Sequence, residues 1–429
     1  NHPKQASYQL LRFLNEISPN FEFVEKLLSK KFIYKKLSEI LSFSGHITNM
    51  LAKDDTLLEI LDPYYAIRLK GNITIYKNEL NKISFYLENE ETILNKLRQL
   101  HRKLKFQIIV SVITNELRIE NASYEFSILA RAVLEKVIEI CHYLFLKQNK
   151  LRKSFLDEFG ILAYGRLANN TMTSNSDLDL VFIFPDHNTN FKNQKEYSNF
   201  YNIFSKKIIN FLSSKTSEGI LYEVDTKLTP SNKYSDLACK VSDFVKFQKN
   251  QSYAWQKLAL LKSELVFKNS VFQNSLETIL ENIKEKKINL YDLKSEINSM
   301  RKVNKNRSKQ NLLKNNEIRL LNWYETKYSL GGQRDIEFLE YFYKRKDFDK
   351  VIENLVVKKL FLKNVKSFYF ILDQFINITF WNEKPENLPN KVSKYLVEYL
   401  DLKDLGSLKK KISDHKNQVH GYLQEILNN

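Results

Sequence analysis

Between Ile161 and Phe184 the chain reads ILAYGRLANNTMTSNSDLDLVFIF. Two short apolar runs enclose a polar, turn-prone loop, and the second run opens with Asp177-Leu178-Asp179. Residues two apart on a strand point to one face. Two carboxylates side by side are costly unless a cation lies between them. At the start of a strand that cation is usually a divalent metal held by oxygen ligands. The stretch therefore calls for sheet in a chain that mostly reads as helix, and it points to a metal–phosphate substrate.

Around this stretch the apolar period is helical. Phe21, Val24, Leu27 and Leu28 recur at helical spacing, as do Ile93, Leu94, Leu97 and Leu100. Asp54-Asp55 and Asp62-Pro63 mark two boundaries. Ile161–Tyr164 and Leu178–Phe184 read as strands bounded by Gly165 and Pro185. Helical spacing returns over 194–213, and Ile220–Leu228 alternates again as a strand, ended by Pro230-Ser231-Asn232. Beyond Tyr253 the pattern is helical to the end, with an exposed loop expected over Lys302–Asn316 and a break at Gly331-Gly332. The expectation is an α+β protein, mostly helical, with a small mixed sheet packed against helices. Three segments follow: an N-terminal helical region (1–150), the sheet-bearing core (151–265) and a C-terminal helical bundle (266–429).

A chain of 429 residues has room for two or three cores. No run approaches the eighteen or so apolar residues of a membrane span, so no membrane role is expected. Asn1-His2-Pro3-Lys4 carries neither methionine nor a signal-type apolar region, which suggests processing or a piece of a longer chain. Two distant cysteines, Cys141 and Cys239, make neither a disulfide framework nor a zinc cluster; a reducing cytoplasm is the default. The seven histidines include no H-x-x-x-H pair. A net charge of +17 invites nucleic acid. Yet Lys, Asn, Ile and Phe are all abundant and Gly numbers only 9, a bias of AT-rich codons, and most lysines scatter along helical faces. A solvated basic surface that suits ATP or an acidic protein is the expectation, and nucleic acid is not.

Asp177, Asp179 and Asp225 form the candidate constellation. Glu223 and Asp225 share one face of the third strand, but only Asp225 falls where the pattern places it beside the first pair. Three carboxylates on neighbouring strands can hold two Mg²⁺ ions against a nucleotide's phosphates; solvent-exposed strand caps are the bland alternative. Gly165 at the strand end lets backbone N–H groups approach a phosphate closely. Arg166 offers a bidentate fork, and Ser174 and Ser176 offer hydroxyls. Hydrophobic–Gly, a short spacer, then Asp-hydrophobic-Asp-hydrophobic is the layout of the polymerase-β-like nucleotidyltransferase superfamily.

Tyr164-Gly165-Arg166-Leu167 with Ser176-Asp177-Leu178-Asp179-Leu180 resembles the glutamine synthetase adenylyltransferase family. That family's later motifs have counterparts here in the same order: Val224-Asp225-Thr226-Lys227-Leu228-Thr229-Pro230, Trp255 to Leu260, Met300-Arg301, and Gly331-Gly332-Gln333-Arg334-Asp335-Ile336-Glu337-Phe338. The segments HPKQASYQLLRFLNEIS and LLEILDPYY also resemble what precedes the family's second catalytic half.

The resemblance implies an adenylylating half that transfers AMP from ATP to a tyrosine of glutamine synthetase in the cytoplasm, with a nitrogen-signalling regulatory protein as a further partner. Asp177, Asp179 and Asp225 would ligate Mg²⁺; Gly165, Arg166, Ser176 and Lys227 would bind ATP; Asp225 would also serve as base. Asp335 and Glu337 would support the nucleotide loop or simply open a helix, Arg301 would reach a phosphate, and Trp255 would pack in a helix or stack on adenine. The chain departs from the family at Ala168-Asn169 and Thr171, at Lys227-Leu228-Thr229-Pro230 where arginines are expected, and at Gln256 in place of a glutamate. Lysine does not reproduce a bidentate arginine. Reverse, phosphorolytic deadenylylation and a non-catalytic regulatory domain therefore stay open as alternatives.

Overall fold

The computed structural model describes all residues except 1, 2, 18, 30–32, 63–68, 87, 188–192, 231–235, 269, 315–325, 328, 346–351, 381–389 and 429. Asn1, His2, Pro63, Ser231, Asn232, Asn315 and Asn316, singled out above, lie outside the described residues. In chain order the elements begin with α1 (Pro3–Ile17), α2 (Phe21–Ser29), α3 (Tyr34–Phe43), α4 (Gly45–Lys53) and a 3₁₀ turn at Asp55–Leu61. Then come α5 (Ile73–Asn81), α6 (Glu90–Ile113) and α7 (Ile119–Gln148). The central region holds β1 (Gly160–Ala163), α8 (Gly165–Ala168), β2 (Leu178–Phe184), α9 (Gln194–Ser213), β3 (Val224–Asp225) and β4 (Ala238–Lys240). It continues through α10 (Val241–Asn250), α11 (Ala254–Leu261), β5 (Glu264–Leu265) and α12 (Val271–Lys284). The chain finishes with α13 (Leu290–Lys314), α14 (Gln333–Tyr343), α15 (Leu355–Phe380), α16 (Asn390–Tyr399) and α17 (Leu405–Asn428). A mostly helical α+β protein with one small mixed sheet is what the sequence led us to expect.

The chain divides into two compact units, one of 1–66, 109–122 and 294–429 and one of 67–108 and 123–293. Among the described residues the first contains helices and no strand. Its core includes Phe13, Ile40, Phe43 and Leu51, and Phe43 meets Phe375 edge-on at 5.6 Å while Phe375 stacks on Tyr395 at 5.2 Å. The Gly331-Gly332 break serves this core. Gly331 has φ +74°, and a Cβ there would overlap the Lys416 backbone. Its N–H donates to Asp335 Oδ2 at 2.7 Å, and Arg301 Nη1 pairs with the same oxygen at 3.1 Å. Asp335 and Arg301 are both buried, so the motif's acid opens α14 as one half of an internal ion pair. The expected loop at Lys302–Asn316 is instead the continuation of α13 to Lys314. No Gly or Pro interrupts it, and Lys, Arg, Gln and Leu are good helix formers.

The second unit carries the sheet. The strand order is β3-β2-β1-β5, with β4 also paired to β2. β1 runs antiparallel to β2 and to β5; β3 and β4 run parallel to β2. Side chains of β2 alternate between two apolar layers, as the pleat dictates. Phe184 stacks on Tyr201 of α9 at 4.7 Å, and Phe182 stacks at 5.8 Å on Phe159, just before β1, which itself stacks on Tyr201 at 5.8 Å. Val181 and Ile183 join Leu162 and Tyr164 of the opposite face in a cluster with Phe244, Leu260, Leu276 and Leu280 from the helices α10–α12. A strand buried on both faces needs the unbroken apolar run that Leu180–Phe184 supplies.

One reciprocal cap fixes the frame. Ser270 accepts from Gln273 N–H and Gln273 reaches back to Ser270 N–H, a reciprocal cap for α12. Gln273 Nε2 also donates to Phe159 O at 2.9 Å, and Ser270 Oγ donates to Asp157 O at 2.6 Å. The start of β1 is thereby tied to α12.

Candidate active site

β3 is far shorter than the alternation over Ile220–Leu228 suggests. Leu221 and Tyr222 are consecutive yet both buried, and both of their N–H groups donate to Leu212 O, at the end of α9, at 3.0 Å. That bend uses up the backbone groups that a longer ladder would need. What remains pairs in register: Leu178 with Val224 and Asp179 with Asp225. The approach to β3 is held from α6. Arg98 Nη1 donates to Thr216 Oγ1 at 2.8 Å and Nη2 to Ser214 O, while Arg102 pairs with Glu218 at 2.8 Å. β4 and β5 were not foreseen; strands of three and two residues leave no readable period.

This register places Asp177, Asp179 and Asp225 together, with one carboxylate oxygen from each lying within 4.8 Å of the others. Asp177 is exposed and the other two are half-buried. The donor set is all carboxylate oxygen, the chemistry a hard divalent cation takes. Gly165 completes the fit. It has φ +57°, and an added Cβ would overlap Asp179 Oδ2 and lie 3.3 Å from Asp179 Cγ. Only a residue without a side chain lets the turn approach that carboxylate so closely. The preceding residue is locked too, since Tyr164 N–H donates to Asp179 O at 2.9 Å. The residues present therefore fit Mg²⁺.

Asp225 has a protein cation of its own. Lys227 Nζ lies 2.8 Å from Asp225 Oδ2, and Lys227 N–H donates to Oδ1 at 2.8 Å. Burial pushes the Asp225 carboxyl up, but these two bonds and the nearby ammonium outweigh it and hold it below its ordinary value. Lys227 is raised, first by its bond to Asp225. The Lys227 side chain is 88% exposed, so the ammonium can leave Asp225 without breaking any packing.

The loop from Gly165 to Ser176 is internally braced. Ser176 Oγ accepts from Thr173 N–H at 2.9 Å and shares a 3.0 Å hydrogen bond with Thr173 Oγ1. Met172 N–H donates to Ser127 Oγ on α7 at 3.2 Å. Arg166 is half-buried at the first turn of α8. Ala168-Asn169 does local work: Asn169 Nδ2 donates to Gly165 O at 2.6 Å. Arg131 of α7 was not foreseen. Its Nη2 donates to Leu167 O at 2.9 Å and to Glu264 Oε2 of β5 at 2.8 Å. A lone arginine inside a helical pattern carries no motif that would have signalled this. Trp255 is half-buried in the first turn of α11.

A small mixed sheet, an Asp-x-Asp strand, a glycine turn pressed against it and a third aspartate from the adjoining parallel strand define a nucleotidyltransferase-type core. A family model described as glutamate-ammonia ligase adenylyltransferase matches residues 34–279. The chain belongs to that family. It is 26% identical over 351 residues to the bifunctional glutamine synthetase adenylyltransferase/adenylyl-removing enzyme of Idiomarina loihiensis, covering 79% of this chain and 36% of that protein. The protein of the same name from Alteromonas mediterranea is 27% identical over 360 residues (79% and 35%), and that from Psychromonas ingrahamii 26% over 351 (78% and 36%). The chain thus spans about 36% of the length of the relatives it matches. Among the described residues no helix is long and apolar enough to cross a membrane.

Proposed function

We propose that this chain catalyses Mg²⁺-dependent transfer of AMP from ATP to a tyrosine of glutamine synthetase, in the cytoplasm and under control of a nitrogen-signalling protein. The observation that carries the reading is the joint placement of Asp177, Asp179 and Asp225 with Gly165 against Asp179. When bound by the three carboxylates, Mg²⁺ would neutralise the phosphates and stabilise charge developing on the transferred group. The chain's own residues do the rest. The Gly165 turn presents backbone N–H groups to the β- and γ-phosphates, with Arg166, Ser176 and Lys227 beside them. The braced loop holds ATP so that a tyrosine oxygen can approach the α-phosphorus in line. The bond from that oxygen to phosphorus forms, the bond to the leaving oxygen breaks, pyrophosphate departs, and the tyrosine proton passes to Asp225. Such catalysis is mostly positioning and charge neutralisation.

The relatives' name also includes adenylyl removal, which supports a second reading in which the same site runs phosphorolysis and releases ADP. One experiment separates the readings. The chain is incubated with glutamine synthetase, Mg²⁺ and ATP labelled at the α-phosphate, and adenylylated glutamine synthetase is separately incubated with phosphate. Label on the protein supports transfer; ADP release without labelling supports removal. Neither product, or transfer unchanged in Asp177→Asn with Asp179→Asn, would overturn both.

A further inference from the structure

The turn at Gly165 has to be held in place from outside. Its approach to Asp179 leaves no room for a Cβ, and a loop free to relax would draw back from so close a contact. Bonds within the loop set its shape. Thr171 N–H donates to Arg166 O at 3.0 Å, and Asn169 N–H donates to Gly165 O at 3.2 Å. These bonds travel with the loop and do not fix its distance from the sheet.

Three side chains outside the loop do. Ser127 and Arg131 lie four residues apart on α7, so they share one face. Ser127 is fully buried. Its hydroxyl proton is committed to Ser123 O at 2.6 Å, which leaves a lone pair to accept from Met172 N–H at 3.2 Å. Arg131 Nη2 donates to Leu167 O at 2.9 Å and lies 3.5 Å from Asn170 Oδ1. Asn170 has φ +53°, in the left-handed region that asparagine tolerates. One helix face thus grips the loop at Leu167 and again at Met172.

The third side chain is Glu264, whose Oε2 meets the same Arg131 nitrogen at 2.8 Å. Glu264 stands opposite Ala163 in the β1–β5 ladder, two residues before Gly165. A single guanidinium nitrogen therefore spans the turn, from the partner of the strand that enters it to the carbonyl that leaves it. A surface ion pair is the ordinary explanation. It does not account for the shared bond to Leu167 O, nor for an Arg131 side chain only 14% exposed. The carboxylate cluster, by contrast, comes from the start of β2 and from β3, whereas the described bonds of Arg131 are to the loop and to β5.

We infer, on the nucleotide-transfer reading above, that Arg131 is a positioning residue for the nucleotide. With Ser127 and Glu264 it holds the Gly165 turn where its N–H groups meet the phosphates. Its loss weakens nucleotide binding and spares the cation.

The test measures two affinities in one set of variants: Mg·ATP by calorimetry, and Mn²⁺ alone by its spectroscopic signal. Arg131→Met should weaken Mg·ATP about tenfold or more, since the loop is no longer preorganised. Mn²⁺ affinity should stay within about twofold, because its ligands share no partner with Arg131. Arg131→Lys should recover most of the loss, because one nitrogen makes both bonds and an ammonium carries donors enough for them. Glu264→Leu should give a smaller loss of the same kind, and Arg131→Met with Glu264→Leu no more than Arg131→Met alone. Native Mg·ATP affinity in Arg131→Met, an equal fall in Mn²⁺ affinity, no recovery with lysine, or additive losses would overturn the assignment. Should Arg131→Met fail to fold by circular dichroism, native Mg·ATP affinity in Glu264→Leu overturns it alone. A wild-type chain that binds no Mg·ATP at millimolar nucleotide would overturn the transfer reading, and this assignment with it.

Discussion

Gly165→Ala should dismantle the proposed metal site while leaving the fold standing. Two costs can be worked from the structure. An alanine held at φ +57° sits in the left-handed region at about 1–2 kcal/mol. Its Cβ would overlap Asp179 Oδ2, the end of a side chain that can turn away at about 1 kcal/mol for an off-rotamer angle. The sum, about 2–3 kcal/mol, is below the roughly 5–15 kcal/mol that holds an ordinary domain together, so the variant should fold. The carboxylate, however, must leave its place beside Asp225. A displacement on the order of 1 Å in such a site costs about 100-fold in rate. Urea unfolding should show the modest loss of stability. Titration with Mn²⁺ as a spectroscopic stand-in for Mg²⁺ should show affinity lost, and labelled-AMP transfer should fall by about two orders of magnitude. Native metal affinity and native transfer in a variant destabilised by the expected amount would refute the role assigned to Gly165.

Further outcomes follow from other contacts. Asp335→Ala should cost about 3–5 kcal/mol in unfolding experiments, because it strands Arg301 in the core; a loss below about 1 kcal/mol would refute the ion pair. Lys227→Ala should leave stability essentially unchanged, as loss of an exposed pair does, yet raise the Asp225 pKa toward its ordinary value in an NMR titration without metal. Burial pulls Lys105 of α6 down to about 7, so between there and its ordinary value of 10.5 the folded chain binds fewer protons than the unfolded chain. Stability should therefore rise with pH across that window, and Lys105→Met should flatten the slope; an unchanged slope in denaturation at stepped pH would exclude Lys105 as its cause.

What could be read from the sequence was whatever had a period or a chemical contradiction. Paired aspartates in an apolar run signalled β2 and the carboxylate cluster, and α9 over 194–213 was readable at both ends because its apolar face is regular and Asn193 caps it. The third strand was overread because alternation in sequence does not reveal that Leu212 O takes the N–H groups of Leu221 and Tyr222. β4 and β5 were unreadable, being too short for any pattern and defined only by their partners β2 and β1. Asp225 could be named as the third carboxylate, but not that Lys227 folds back onto it; that contact depends on a two-residue turn. Arg131 acts across the fold on Leu167 and Glu264, and nothing local to it in the chain announces that.

The two-residue match of β3 with β2 has a thermodynamic consequence. Asp225 reaches its companions on a ladder of two paired residues, continued by a single Leu178 N–H to Glu223 O bond. So short a ladder opens at low free energy compared with a core strand such as β2. The third carboxylate is then the part of the cluster most easily lost, and an ion that needs it would fasten β3 to the sheet. Ion capture and closure of the strand would be one coupled equilibrium, visible as slowed amide exchange at Leu178 when the ion is added.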